Sequence, residues 1–279
     1  MNIKLKHDFI TFPDGQIHSN FDFLVYSDEW RYRIANTAQE AISVHCRITT
    51  ANELLNLLYL TDVLKNKKVH KINLHIWYLM AARMDRRISD YEPYSLKVVA
   101  DILNAQNYSE VNIFFPHSKT SLDLINNSYE MMKKQVKFYQ DAIDNFSAGD
   151  MISLVLPDEG AVKRFYQSFY HQLKGSFNIV ECQKKREMST GKLSGFKVVS
   201  GDVYARSLIL DDLCDGGGTF VGLGEVLLNN GAKELGLCVP HGIFSKGTKL
   251  AGIDKIYTTN SFKDWETVST DNFNCWRIF

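Results

Sequence analysis

Short apolar runs alternate with longer stretches of helical spacing along the whole chain. Residues 41–48, 71–78 and 111–115 read as strands. Between them, 52–65 and 94–106 read as helices, the second with Leu96, Val99, Ala100 and Leu103 on one face. Residues 120–147 are largely helical in pattern and polar enough to bridge two halves. The second half repeats the alternation. It offers a strand at 151–156, a helix at 162–173, strands at 177–181 and 195–199, an apolar strand at 208–210, a helix ending at Gly231 and a strand at 234–239. Gly231 supplies the left-handed residue that commonly ends a helix. Strands alternating with helices predict parallel sheets. Seven or eight strands suit two doubly wound sheets better than one. The expected fold is therefore α/β, with one domain over 1–134 and a second over 135–279. The aromatic, β-prone segment 265–279 finds no place in this scheme.

Composition narrows the class. Lys plus Arg equals Asp plus Glu at 32 each in 279 residues, so no global field recruits nucleic acid or a membrane surface. No apolar run approaches the ~20 residues of a membrane span. Lys4, Lys6, His7 and Asp8 interrupt residues 1–12, which read as no signal peptide. The five cysteines are odd in number and show no C-x-x-C, which argues for reduced thiols, no zinc site and a cytoplasmic setting.

The chemistry concentrates at 206–220, R-S-L-I-L-D-D-L-C-D-G-G-G-T-F. An apolar strand ends in two carboxylates, Asp211 and Asp212, where open α/β sheets bind ligands. Asp215 and three glycines follow. Gly216, Gly217 and Gly218 let backbone N–H groups turn toward an anion with no Cβ in the way. Thr219 is placed to cap the helix, whose N-terminal dipole favours phosphate. No stretch satisfies G-x-G-x-x-G. Residues 242–249, G-I-F-S-K-G-T-K, have the lysine and threonine of a Walker A loop in the wrong order and are set aside.

The 206–220 run resembles the motif for phosphoribosyl pyrophosphate (PRPP) in type I phosphoribosyltransferases and PRPP synthetases, the ribose-phosphate pyrophosphokinases. Further segments resemble the synthetases in order. They are F-P-D-G-Q at 12–16, M-A-A-R-M-D-R-R at 80–87, P-Y-S-L-K-V-V-A-D-I-L at 93–103, P-D-E-G at 157–160, Q-K-K-R at 183–186 and P-H-G-I-F-S at 240–245. The resemblance implies two phosphoribosyltransferase-like domains and an ATP-dependent pyrophosphokinase with Mg2+ as cofactor. It implies ATP contacts from Phe12, Asp14, Gln16, Arg83, Met84, Arg86 and His117, with the 12–16 segment reading adenine across a subunit boundary in at least a dimer. His117 and Asp158 take the metal-ligand roles. Lys184 and Arg186, on a mobile loop, neutralise the transferred group, and Asp211 helps deprotonate the anomeric hydroxyl. Asp211, Asp212, Asp215, Gly216, Gly217, Gly218 and Thr219 hold the phosphorylated ribose. Physically, diphosphoryl transfer is mostly positioning and charge neutralisation, and arginine forks match phosphate oxygens.

Taken singly, most of these residues have plainer readings: Arg83–Arg87 as a solvated helix start, Lys184–Arg186 as a surface loop, Phe12 as core. Their order around the glycine run lifts them. The chain also departs from the family. The stretch before F-P-D-G-Q is short, a C-terminal helix is missing, an acid near the metal becomes Phe115, and a glutamine and a glutamate of the ATP site become Met84 and Gln16. The bare Gly216 would admit a phosphate that continues into a second group. A family branch tied to NAD salvage in viruses of bacteria uses ADP-ribose in this way, and the short form here is similar. Ribose 5-phosphate and ADP-ribose both stand as acceptors. A PRPP-consuming transferase and a non-catalytic regulatory relative are the competing functions.

Overall fold

The computed structural model describes residues 2–4, 9–14, 16–19, 41–186, 193–265 and 272–278. The chain falls into two units, Met1–Met131 and Met132–Ile278. In the first, the strands are β1 (Asn2–Lys4), β2 (Phe9–Thr11), β3 (Ile17–Ser19), β4 (Ala41–Ile48), β5 (Lys71–Leu79), β6 (Glu110–Ile113) and β7 (Ser128–Glu130). β1, β4, β5, β6 and β7 form a parallel sheet in that order, while β2 and β3 pair as a separate hairpin. The helices are α1 (Ala51–Asn66), α2 (Ser95–Asn104) and α3 (Thr120–Leu124). α1 begins where a T-x-x-E box dictates: Thr50 Oγ1 accepts the Glu53 amide at 3.2 Å and the Glu53 carboxylate accepts the Thr50 amide at 3.0 Å. Leu57, Leu60, Leu64, Leu74, Ile76, Leu96 and Leu103 close the core of this unit.

The second unit has helices α4 (Met132–Ser147), α5 (Glu159–Arg164) and α6 (Gly218–Asn229). Its strands are β8 (Ile152–Leu156), β9 (Phe177–Arg186), β10 (Leu193–Ser200), β11 (Arg206–Leu210), β12 (Leu213–Cys214), β13 (Glu234–Gly242), β14 (Lys255–Thr259) and β15 (Phe273–Trp276). The sheet order is β10-β9-β8-β11-β13-β14-β15, parallel except where β9 meets β10. From β8 the chain first moves outward to β9 and then returns to the other side at β11. The crevice at the carboxyl ends of β8 and β11 is thus a topological switch point, the place where open sheets bind ligands. β8 is buried throughout, and β11 is buried from Ser207 to Leu210, as strands covered on both faces are. Close packing here has one fixed cost in side-chain volume. A Cβ on Gly236 would lie 2.7 Å from Leu208 and 2.9 Å from Phe146. At the far end of the strands, Glu234 accepts from Arg206 Nε at 2.8 Å and lies 3.1 Å from Lys255 Nζ, tying β11, β13 and β14 together.

The α/β class and the parallel sheets follow the sequence pattern, with instructive differences. The helix expected at 162–173 begins at Glu159, because the Asp158 carboxylate caps it by accepting the Ala161 amide at 3.0 Å. It then widens into a π-helical turn at Phe165–Phe169. The strand expected at 177–181 runs on to Arg186, because β10 pairs with it as far as Leu193. β7, β14 and β15 are short or irregularly patterned and escaped the periodicity. β15 places part of the aromatic closing segment at the sheet edge beside β14. All five cysteines are free thiols, as their number suggested. No helix among the described residues is long and apolar enough to cross a membrane.

α6 ends as expected at Gly231, with φ +105°. The Gly231 amide reaches the Leu228 carbonyl at 3.1 Å and the Ala232 amide reaches Leu227 at 3.0 Å, the paired bonds of a Schellman cap. The nearest atom to a Cβ at 231 is 3.9 Å away, so only the backbone opposes a side chain there. Gly231→Ala should cost about 1 kcal/mol of unfolding free energy in a urea titration. A variant as stable as the parent would contradict the cap.

Candidate active site

The candidate site of the second unit grows from the end of β11. Asp211 and Asp212 follow its last apolar residue, and the chain then turns. Asp211 accepts the Asp212 amide at 2.8 Å, and its carbonyl accepts from Tyr139 Oη at 3.1 Å. Asp212 is only 4% exposed. Its charge is matched by Arg164, whose Nη1 lies 3.3 Å from Asp212 Oδ1. Arg164 is itself deeply set. Burial alone would discharge it, but Asp212 and then Asp211 hold the guanidinium firmly charged. Asp211 keeps some solvent contact yet is surrounded by protein atoms. Desolvation first, and repulsion from Asp212 second, push its carboxyl well above the usual range, and Arg164 offsets only part of this.

The turn after the carboxylates is held by β13. β12 pairs with His241 and Gly242, and the Ile243 and Phe244 amides donate to the Cys214 carbonyl. Gly217 adopts φ +75° and stands at the cap of α6, where a Cβ would also collide with Leu250. Thr219 is therefore not the cap that the sequence suggested. The turn needs a left-handed residue just before the helix, glycine provides it, and Thr219 falls inside the first turn with no side-chain cap present. The Phe220 and Val221 amides already reach the Gly217 carbonyl at 3.0 and 3.1 Å, which leaves the amides of Gly218 and Thr219 at the helix mouth. A Cβ on Gly218 would have nothing within 4 Å, so the mouth is open.

Beside this, Asp158 follows the end of β8 by two residues and Lys184 projects from β9. Lys184 Nζ lies 2.6 Å from Asp158 Oδ2. Burial would raise the Asp158 carboxyl, but the Lys184 hydrogen bond, the Ala161 amide and the charges of Lys184 and Arg164 outweigh it and hold it below the ordinary value. Lys184 and Arg186 do not lie on a loop. Lys184 pairs with Phe196 and Arg186 with Leu193, so both belong to the β9–β10 ladder. Residues 187–192 lie outside the described residues.

In the first unit, Arg83, Met84, Arg86 and His117 come together as the sequence suggested. They line a cleft of ≈ 410 Å³ with Asp85, Ile88, Glu92, Pro93 and Ser95, the last at the start of α2. The Met84 amide reaches the Ala81 carbonyl at 2.8 Å and the Leu96 amide reaches the Met84 carbonyl at 3.2 Å, fixing the 81–96 loop over the strand ends. Phe12, Asp14 and Gln16 sit instead at the tip of the β2–β3 hairpin, where the Gln16 amide donates to Asp14 Oδ1 at 3.0 Å and Phe12 is 48% exposed. They do not line this cleft.

Three residues at the candidate site of the second unit were not singled out from sequence: Arg164, Tyr139 and Lys246. Arg164 closes the short helix that Asp158 opens, and that P-D-E-G-A-V-K-R spacing was the available signal. The raised Asp211 carboxyl carries a stability consequence. Its folded value lies above its unfolded value, so ionising it costs stability as pH rises from about 4 toward the folded value. Asp211→Asn should therefore stabilise the fold at pH 8, on the order of 1 kcal/mol, with the gain fading toward pH 4. Thermal unfolding across that range checks this, and destabilisation at pH 8 would contradict it.

Comparison with known proteins now bears on this geometry. Residues 6–106 match the model of the N-terminal domain of ribose phosphate pyrophosphokinase. A ribose-phosphate pyrophosphokinase of Mycoplasmopsis pulmonis is 29% identical over 220 residues, covering 77% of this chain and 67% of the relative. One from Caldanaerobacter subterraneus is 30% identical over 70% of this chain and 60% of its own. A putative ribose-phosphate pyrophosphokinase of Enterococcus faecalis is 27% identical over 89% of this chain and 75% of its own. The chain thus spans from 60% to 75% of the length of these relatives. The crystal structure of phosphoribosylpyrophosphate synthetase from Mycobacterium smegmatis superposes with a TM-score of 0.71 at 19% identity, over 97% of this chain and 85% of that one, a likeness of fold. The family model over residues 6–106, the curated relatives and the shared fold agree on what the chain is similar to: the ribose-phosphate pyrophosphokinases.

Proposed function

We propose that this chain transfers the β,γ-diphosphoryl group of ATP to the anomeric hydroxyl of a ribose carrying a 5′-phosphate, releasing AMP. The observation that carries the reading is the pair Asp211 and Asp212, set at a switch point beside an open glycine turn at the mouth of α6. The carboxylates take the ribose hydroxyls. The amides of the turn and the α6 dipole take the 5′-phosphate. Arg83 and Arg86 in the cleft of the first unit suit the polyphosphate of ATP.

In the transfer, the anomeric oxygen bonds to the β-phosphorus. The bond from that phosphorus to the oxygen bridging the α- and β-phosphates breaks, and AMP leaves with the electron pair. The hydroxyl proton passes to Asp211, whose raised proton affinity suits a base. Arg164 holds Asp212 in place to orient the sugar. Lys184 moves from Asp158 to neutralise charge on the migrating group. Magnesium on the triphosphate would supply charge neutralisation and alignment. Asp158 fits it as a hard oxygen ligand kept ionised at a strand end, and His117 fits on the ATP side.

ADP-ribose stands as a second acceptor, since Gly216 itself carries no side chain and the group packed over it is the flexible, exposed stem of Lys246, where a 5′-phosphate would continue into a diphosphate. Self-association through the 9–19 hairpin, with its exposed Phe12, belongs to the same reading.

The direct test is AMP release from ATP with magnesium, with and without each acceptor. AMP that depends on ribose 5-phosphate or ADP-ribose is expected. Product from ribose 5-phosphate alone would remove ADP-ribose. AMP without acceptor dependence, or none, would favour a transferase or a regulatory relative and sink the proposal. Lys184→Ala should lower turnover by about 10²–10³-fold while calorimetry still registers ATP binding. Unchanged turnover would remove Lys184 from the chemistry.

A further inference from the structure

The 242–249 segment, set aside above as a nucleotide loop, packs against the glycine turn. The Ser245 amide donates to the Asp215 carbonyl at 3.2 Å, next to the two bonds that anchor Ile243 and Phe244 on Cys214. This brings Lys246 over Gly216. A Cβ at 216 would lie 3.4 Å from both Cδ and Cε of Lys246 and 3.7 Å from its Cγ. The lysine stem therefore fills the room that a side chain at 216 would take. Its ammonium lies one bond beyond Cε, and the residue is exposed. The turn itself, D-G-G-G-T, offers amides and a helix dipole but no cation. A long side chain that lays its methylenes on a glycine and keeps its charge in water can swing that charge onto an anion held by the same turn. A lysine does this as a mobile point charge, with no demand on geometry.

We propose that Lys246 is an acceptor-binding residue that helps set specificity. Its ammonium pairs with the 5′-phosphate at the turn, and its stem takes the place of a residue-216 side chain. This rests on the reading of the turn as the ribose-phosphate site. Gly216 and Lys246 then form one functional unit. A side chain at 216 acts chiefly by pushing the lysine off the anion, so the two positions must be coupled.

The test is calorimetry of the full chain with ribose 5-phosphate, run on the parent, Lys246→Ala, Lys246→Arg, Gly216→Thr and the Gly216→Thr/Lys246→Ala double variant. ATP titrations serve as controls. Lys246→Ala should weaken ribose 5-phosphate binding by about 10-fold, the weight of one charge contact. Lys246→Arg should restore most of it. Gly216→Thr should weaken binding in the parent and add little once Lys246 is alanine. Because Lys246 is exposed, none of its variants threatens the core. Equal affinity of parent and Lys246→Ala overturns the role of the lysine and leaves the turn standing. Losses at 216 and 246 that simply multiply in the double variant overturn the coupling. A parent that takes up no ribose 5-phosphate overturns both the lysine and the reading of the turn.

Discussion

A single guanidinium holds together the acceptor side of the second unit. Asp211 and Asp212 stand side by side at the end of a strand buried on both faces, where two adjacent carboxylates repel and neither is well solvated. Arg164 supplies the opposing charge at 3.3 Å from Asp212. Removing Arg164 would leave buried carboxylate charge without compensation, which costs far more than the pair contributes. The surrounding segments are built to put Arg164 there. β8 ends at Leu156, Asp158 two residues on caps α5, and Arg164 is the last residue of that short helix. Lys184 from β9 then closes on Asp158. Residues in or just after three neighbouring strands thus share one charge network at the switch point of the sheet.

The network also separates the two kinds of carboxylate that a transfer to a hydroxyl requires. Asp158 is pulled down by its lysine and its helix amide, whereas Asp211 is pushed up by desolvation and by Asp212. Pairs whose environments drive their proton affinities apart mark where ionised ligand and proton acceptor sit. The glycine turn adds a complementary element, backbone donors at a helix mouth that no side chain obstructs. The same backbone freedom that permits φ +75° at Gly217 moves the cap from Thr219 to the glycine. The Thr219 amide thereby stands in the first turn of α6, at the helix mouth.

Much of this was legible in the sequence. Apolar runs of three to eight residues separated by helical spacing gave the α/β class, and the D-D-x-x-D-G-G-G-T run marked the strand end and glycine turn of the candidate site. Arg83, Met84, Arg86 and His117 share a cleft because their segments both follow strand ends of one parallel sheet. What escaped had physical causes. Arg164 is a lone arginine on a six-residue helix, and nothing local shows that it points at carboxylates some fifty residues away. The β9–β10 ladder turned an expected loop into strand, since long-range pairing overrides the polar character of Q-K-K-R. β14 is a short strand and β15 a short edge strand, and neither alternates regularly. Lys246 was invisible because its relation to Gly216 exists only once β13 carries the 242–249 segment back over the turn.

Backbone amide shifts report the central claim most directly. In a nitrogen-15 titration of the full chain with ribose 5-phosphate, saturable shifts should concentrate on Gly216, Gly217, Gly218 and Thr219 and extend to Asp211 and Asp212. Shifts confined to other segments, or none at saturating ligand, would contradict the assignment of the turn and its paired carboxylates to a phosphorylated ribose.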